Sequence, residues 1–129
     1  MKKVDNYRSN LVTLSGAPAQ DLSNEFVLGG IINKFNLQFE LGWKMLKALL
    51  AYEGAVEAAS GSPRDIIKAA YRYLGILDEE AWLKMLRDRN DSTRIYDEGR
   101  ARELVDAVLG TYIPEFQRVL AAVEERYGL

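Results

Sequence analysis

The sequence predicts an all-α protein, an antiparallel up-and-down helical bundle of about five helices that belongs to the four-helix-bundle type. Apolar residues recur at spacings of three and four along most of the chain, and no segment alternates as a strand would. The connections are short and two of the helices are long, which favours antiparallel neighbours. A chain of 129 residues has ordinary single-domain length, so we expect one domain over residues 1–129.

The first two helices are predicted from apolar stripes. A short stripe predicts the first helix, and its members are Val4, Tyr7, Leu11 and Leu14. After the segment GAPAQD, a much longer stripe predicts the central helix, and its members are Phe26, Ile31, Phe35, Phe39, Trp43, Leu46, Leu49 and Leu50. Gly54 suits the left-handed position that ends a helix, and VEAASGS then reads as a loop.

The third and fourth helices are predicted from their end signals. Ser62 and Pro63 supply an N-cap and a first-turn proline, and an acid follows at Asp65. Gly75 is expected to end the third helix, and Asp78 can cap the fourth, which carries Trp82.

A further apolar stripe predicts a long last helix, and its members are Leu104, Val105, Val108, Leu109, Tyr112, Ile113, Phe116, Leu120, Val123 and Tyr127. Gly110 and Pro114 lie inside it without shifting its phase, so we expect a kink and no break.

Two groups of residues, most of them in the central helix, permit a functional and a structural interpretation. The aromatic side chains of the stripes, Phe35, Phe39, Trp43 and Trp82, are expected in the core and not on a base-stacking platform. Gly29 and Gly30 are costly inside a helix, so they mark a close approach at a helix or subunit contact, or else the true start of the helix.

The composition excludes several classes of function. The chain has no cysteine and no histidine, which removes disulfides, thiolate nucleophiles and imidazole acid–base chemistry. No metal site and no cofactor are expected. A net charge of -2 gives no general attraction to nucleic acid or anionic lipid. The amino terminus has no signal-peptide pattern and no apolar run reaches a membrane span, so we expect a cytoplasmic protein with no membrane partner.

The segment RNDSTRIYDE, residues 89–98, is unusually polar for this chain. It can be a simple turn in which residues 91–93 cap and reverse the chain, while Asp97 and Glu98 favour the start of the next helix. It can also be a phosphate site, because arginine is suited to bidentate phosphate binding and five arginines lie between residues 87 and 102. Acids lie among these arginines and can neutralise them through helix-surface pairs, so an RNA site is weakly signalled.

At this point the chain resembles a known family. The segments IINKFNLQFELGWKMLKALLAYEG and SPRDIIKAA, followed by the Trp82 helix and RNDSTRIYDE, resemble the nucleotidyltransferase substrate-binding-like proteins of the HEPN superfamily. The resemblance covers about residues 4–127. Its most specific part is an RN-x3-H-x-Y-D motif, represented here by Arg89, Asn90, Arg94, Tyr96 and Asp97.

The resemblance implies a helical bundle that forms a homodimer and works with a separate minimal nucleotidyltransferase, often encoded beside it. In toxin relatives, the motif arginine and histidine meet across the dimer cleft to cleave RNA. The partner enzyme silences these toxins by attaching nucleotide to the motif tyrosine, which corresponds to Tyr96. Other relatives bind the partner's substrate, which can be RNA or a nucleotide.

The chain departs from the family at the motif histidine, which is replaced by Arg94. A guanidinium stays protonated, so Arg94 can bind phosphate or stabilise charge but cannot shuttle protons. We therefore expect a non-catalytic or weakly active partner of a nucleotidyltransferase. The alternatives are a residual ribonuclease toxin that uses Arg89, Asn90 and Arg94, and a helical interaction module without any nucleotide link.

The remaining candidate residues also keep two interpretations. Tyr96 is either a target of nucleotide attachment or a tyrosine packed against a neighbour such as Trp82. Arg64 is either an early residue of the third helix or, with Asp97, a contact for the partner or its substrate. The homodimer is also suggested by apolar stripes on every helix, which a five-helix monomer does not fully bury.

Overall fold

The computed structural model describes residues 1–95 and 97–129, and this part of the chain is helical and contains no strand. The helices are α1 (Lys2–Leu14), α2 (Glu25–Tyr52), α3 (Pro63–Leu74), α4 (Glu79–Asp91), α5 (Glu98–Ala107) and α6 (Ile113–Tyr127). A π-helical segment, Val108–Tyr112, joins α5 to α6, so the two form one continuous rod. The predicted all-α bundle of five helices is therefore confirmed.

The directions of the helices follow from their contacts with α2. The side chain of Asn10, late in α1, donates to the Lys34 carbonyl, in the first half of α2, at 3.2 Å. Because α2 follows α1 after a short connection and folds back along it, the two helices run antiparallel. On the other side of the bundle, the Phe35 ring stacks on the Tyr112 ring with centroids 5.3 Å apart. Further along α2 the Tyr127 hydroxyl reaches Glu53, so α5 and α6 run parallel to α2.

The α4 helix completes the bundle. The Trp82 ring lies beside Gly42 of α2, whereas Ser92, just after α4, accepts a hydrogen bond from Asn36 at 3.0 Å. Residues later in α4 therefore meet earlier residues of α2, and the two helices are antiparallel. The rods α1, α2, α4 and α5–α6 alternate in direction, and α3 packs against α2 and α4.

The aromatic core agrees with most of the sequence prediction. Phe35, Phe39 and Trp82 are fully buried, as predicted. Trp43 is only partly buried, and its indole N–H donates to Glu40 Oε2 at 2.7 Å. The prediction was wrong for Phe26, whose side chain is 83% exposed. Phe26 lies in the first turn of α2, on the face opposite the buried Leu28, and its spacing of five residues from Ile31 takes it off the stripe.

The helix ends fold as their sequences indicate. The Ser62 hydroxyl accepts from the Asp65 N–H at 3.2 Å and Asp78 accepts from the Ala81 N–H at 3.2 Å, so both predicted N-caps are present. Gly54 and Gly75 have φ of +78° and +62°, in the left-handed region expected of helix-ending glycines. The segment predicted as a loop after Gly54 contains a short 3₁₀ helix, Val56–Ala59.

The last rod continues through its glycine and proline, as predicted. Pro114 has no N–H to donate to the carbonyl four residues earlier, and the chain forms the π-helical turn there in place of a break.

A buried carboxylate ties α4 to α6. Glu115 is 7% exposed, and its Oε2 accepts from the Asp78 backbone N–H at 2.8 Å and from the Trp82 indole N–H at 3.0 Å. Its other oxygen pairs with Arg118. Because Asp78 and Trp82 belong to the start of α4, Glu115 fixes the position of the start of that helix. It thereby helps to set the direction in which α4 runs.

Across the described ranges, 1–95 and 97–129, none of the helices is both long enough and apolar enough to cross a membrane.

Candidate functional site

The polar stretch lies at the carboxyl end of α4 and in the turn that follows. Arg89 and Asn90 lie in the last turns of α4, and Arg94 ends the 3₁₀ turn Ser92–Arg94. Asp97 caps α5, with its Oδ1 accepting from the Arg100 N–H at 2.8 Å. The prediction for Tyr96 concerns a residue outside the described ranges.

Arg89 is the motif side chain with the most defined surroundings. Its Nη2 lies 2.9 Å from Glu40 Oε1, and its guanidinium carbon lies 5.6 Å from the centroid of the buried Phe39 ring. The side chain is 28% exposed, so the guanidinium lies at the surface with one face covered. An aromatic face attracts a cation placed over it, which adds to the ion pair.

One residue of α2, Asn36, also fixes the end of α4. The Asn36 amide donates to Ser92 Oγ at 3.0 Å, and that hydroxyl donates to the Arg89 carbonyl at 2.8 Å. Arg89 Nε and Asn36 Oδ1 are buried and have no hydrogen-bond partner among the described residues. A buried donor and acceptor without partners are unusual in a folded protein, although Glu57 Oε1, away from this site, is a third such atom among the described residues.

Asn90, Arg94 and Asp97 are exposed, unlike Arg89. Between residues 1–95 and 97–129 no ion pair within 4.0 Å involves Arg94. The two motif arginines therefore differ: the Arg89 side chain is restrained against α2, whereas the Arg94 side chain is exposed to solvent.

Two clefts flank the turn. The first, of about 260 Å³, lies between α4 and α5, and its charged lining residues are Lys84, Asp88, Asp91, Arg100 and Glu103. With three acids against two bases, this cleft does not favour phosphate. The second, of about 360 Å³, lies between the first half of α2 and the start of α5, and its lining includes Ile32, Asn33, Ile95, Asp97 and Glu98.

The arginines counted in the sequence do not form a single patch. Arg102 donates to the Leu22 carbonyl at 2.8 Å and pairs with Glu98 at 3.4 Å, so it fastens the loop before α2. Of the acids proposed to neutralise the arginines, Glu98 alone forms a helix-surface ion pair with one of them among the described residues. Asp88 instead accepts from the Tyr112 hydroxyl, and burial together with this bond raises the pKa of Tyr112.

Arg64 occupies a separate position. It is exposed in the first turn of α3, and Asp65 beside it is exposed as well. Its predicted role as a partner or substrate contact is not connected to the Arg89 site by any described contact.

The sequence analysis missed Glu40 and Asn36, which hold Arg89 and the end of α4 in place, whereas Ser92 was predicted as a residue of the turn. Glu40 and Trp43 lie three residues apart in QFELGWK, a spacing that places them on one side of a helix. That signal was available, but it did not indicate that α4 would bring an arginine to the same carboxylate.

The residues described contain no group of three or more histidine, cysteine, aspartate or glutamate side chains placed to hold a metal ion.

Comparison with known families identifies the chain. The model for nucleotidyltransferase substrate binding protein like proteins matches residues 2–125. The chain therefore belongs to this family, and the resemblance seen in the sequence is confirmed over nearly its whole length. The description of the family associates the chain with nucleotidyltransferase substrate binding. A comparison with curated proteins finds no match.

Proposed function

We propose that this protein is a non-catalytic or weakly active partner of a minimal nucleotidyltransferase, and that it binds both the enzyme and its RNA or nucleotide substrate. The observation that carries the proposal is the restrained Arg89 at the end of α4, in a chain whose family is described by nucleotidyltransferase substrate binding. Arg89 has N–H groups beyond the one used by Glu40, and a guanidinium fixed at a partly dry surface binds a phosphate oxygen more strongly than one in water.

The non-catalytic part of the proposal follows from the side chains present. The sequence has no histidine, and Arg94 stands at the position where the family resemblance implies one. Loss of a general acid–base group typically lowers a rate about 100-fold to 10,000-fold. Arg94→His is therefore the variant that separates a disabled ribonuclease scaffold from a binding protein. Strong RNA cleavage by the variant and not by the wild type would show that the scaffold is competent; no cleavage by either would remove support for the toxin alternative.

A homodimer fits an exposed face of α2, the Phe26–Leu37 face, which we define by Phe26, Gly30, Asn33 and Leu37. These residues recur at spacings of four, three and four, so they share one side of the helix. Phe26 and Leu37 are 83% and 44% exposed, and a Cβ added at Gly30 would meet nothing within 4 Å. Gly29 and Gly30 do not mark a close contact within the chain, so a second copy is the proposed occupant.

Light scattering of charge-introducing variants tests this interface. We expect a dimer mass for the wild type at micromolar concentration and a monomer mass for Leu37→Glu. Val12→Glu is the matched control, because Val12 is 72% exposed on α1 and lies outside the Phe26–Leu37 face. A wild-type monomer, or equal dissociation by both variants, would overturn the proposed interface.

Association with the enzyme is tested by co-expression with a nucleotidyltransferase encoded beside the gene. We expect the untagged protein to co-purify with the tagged enzyme at a fixed stoichiometry. Failure to co-purify when both are expressed and folded would overturn the proposal.

Tyr96 is included in the proposal as the acceptor of nucleotide. The enzyme would transfer a nucleoside monophosphate from a nucleoside triphosphate to the tyrosine oxygen, with release of pyrophosphate and the hydroxyl proton. Intact-mass spectrometry after incubation with the enzyme and nucleoside triphosphates should show this added mass in the wild type. An equal addition to Tyr96→Phe would exclude Tyr96 as the acceptor.

A further inference from the structure

We propose that Glu40 is a positioning residue for Arg89, and that Trp43 holds the Glu40 carboxylate in place for this purpose. The inference rests on the proposed function, because it assumes that Arg89 receives a substrate phosphate. It adds a residue pair from α2 to a site otherwise defined by α4 and its turn.

The two oxygens of Glu40 have different partners. Oε2 accepts from the Trp43 indole N–H at 2.7 Å, and Oε1 lies 2.9 Å from Arg89 Nη2. Trp43 is one turn further along the same helix, so the first contact is local and forms with α2 itself. The carboxylate is thereby oriented by a residue of its own helix, independently of its contact with Arg89.

Phe39 supplies the second restraint on Arg89. The guanidinium carbon lies 5.6 Å from the centroid of the Phe39 ring, and that ring is fully buried against Trp82 with centroids 6.0 Å apart. One edge of the guanidinium is thus held by a carboxylate and one face by an immobile ring. A long side chain held in this way has already lost its rotational freedom when the protein folds. Binding then costs less conformational entropy, so the affinity for the ligand is higher.

A carboxylate is required because two donors each use a different one of its oxygens. Glutamine at position 40 has a single acceptor oxygen, so one of the two donors, from Trp43 or Arg89, would face an amide N–H group. Phenylalanine at position 43 removes the indole donor, and glutamine could then turn its oxygen to Arg89. Trp43→Phe should therefore rescue Glu40→Gln, a coupling that a simple loss of packing would not produce.

The first experiment measures the order of the Arg89 side chain in the free protein. Its Nε–H is buried and gives a separate NMR signal whose relaxation reports motion. We expect a rigid signal in the wild type, a mobile one in Glu40→Gln, and recovery in the double variant Glu40→Gln with Trp43→Phe. Equal rigidity in the wild type and Glu40→Gln would overturn the inference.

The second experiment measures the affinity of the intact protein for a labelled structured RNA. We expect at least a tenfold loss in Arg89→Ala, a several-fold loss in Glu40→Gln, and no further loss when Glu40→Gln is added to Trp43→Phe. Glu57→Gln is the matched control, since it removes the same charge from the carboxylate that lies 2.8 Å from Arg72, away from the site.

The outcomes distinguish the two proposals. A gain of affinity in Glu40→Gln would mean that Glu40 competes with phosphate for Arg89, and it would overturn the inference. An unchanged affinity in Glu40→Gln beside a loss in Arg89→Ala would overturn the inference alone. No binding by the wild type, or no effect of Arg89→Ala, would overturn the proposed phosphate site and the inference with it.

Discussion

Replacement of Glu115 by alanine should destabilise the protein strongly, because it leaves two donors of α4 without a partner. The Trp82 indole is in the core, and the Asp78 N–H is partly buried. A buried donor left unpaired costs about 1–3 kcal/mol, so the two together give about 2–4 kcal/mol when the partly buried one is placed at the low end.

This cost converts to a large shift of the melting temperature. An unfolding entropy of about 2.1 cal/mol/K per residue gives roughly 0.27 kcal/mol/K for a chain of 129 residues. A loss of about 2–4 kcal/mol therefore lowers the melting temperature by about 7–15 °C. Glu115→Gln can place its amide oxygen where Oε2 lies and accept from both donors, so it should lose much less than Glu115→Ala.

Urea unfolding followed by circular dichroism measures the free energy directly. Arg118→Ala is the control, because the Arg118 side chain is 57% exposed and a surface ion pair contributes less than about 1 kcal/mol. A free energy of unfolding for Glu115→Ala within about 0.5 kcal/mol of the wild type would refute the assigned role of Glu115.

Three further predictions concern stability. Gly42→Ala should cost about 1–3 kcal/mol despite the higher helix propensity of alanine, because its Cβ would lie 2.7 Å from the Trp82 ring; unchanged thermal unfolding would show that the core relaxes freely. Gly75→Ala should cost about 1 kcal/mol because of its φ of +62°, and a melting temperature equal to the wild type would contradict this. Burial raises the pKa of Tyr7 well above its ordinary value, as burial and Asp88 do for Tyr112. In the unfolded chain these tyrosines ionise near pH 10, so their contribution to stability is complete below about pH 10 and is lost as the pH rises further. Melting temperatures measured from about pH 9 to 11 should fall, and a flat profile would contradict the assignment.

The helices were predictable because their signals are local. Ser62, Asp78 and Gly75 lie at helix ends where the chain needs a cap or a left-handed residue, and the structure places each as expected. Phe26 was predicted wrongly because it lies five residues before Ile31, which takes it off the stripe; Leu28, three residues before Ile31, is the buried residue that continues the stripe.

The candidate site was predictable only in part. The motif predicted that Arg89 matters, but its surroundings depend on contacts between residues far apart in the chain. Glu40 meets Arg89 across 49 positions only because α2 and α4 pack antiparallel. The number of arginines near the motif suggested one phosphate site, but Arg102 holds the loop before α2 and does not extend the Arg89 site.

The most direct test of a binding partner without catalytic power is to incubate the purified protein with a mixed structured RNA and to measure binding and cleavage together. The wild type should bind the RNA and leave it intact, and Arg89→Ala should bind it at least tenfold more weakly. RNA cleavage by the wild type that disappears in Arg89→Ala would contradict the proposal, because it would make the protein a ribonuclease that works without histidine.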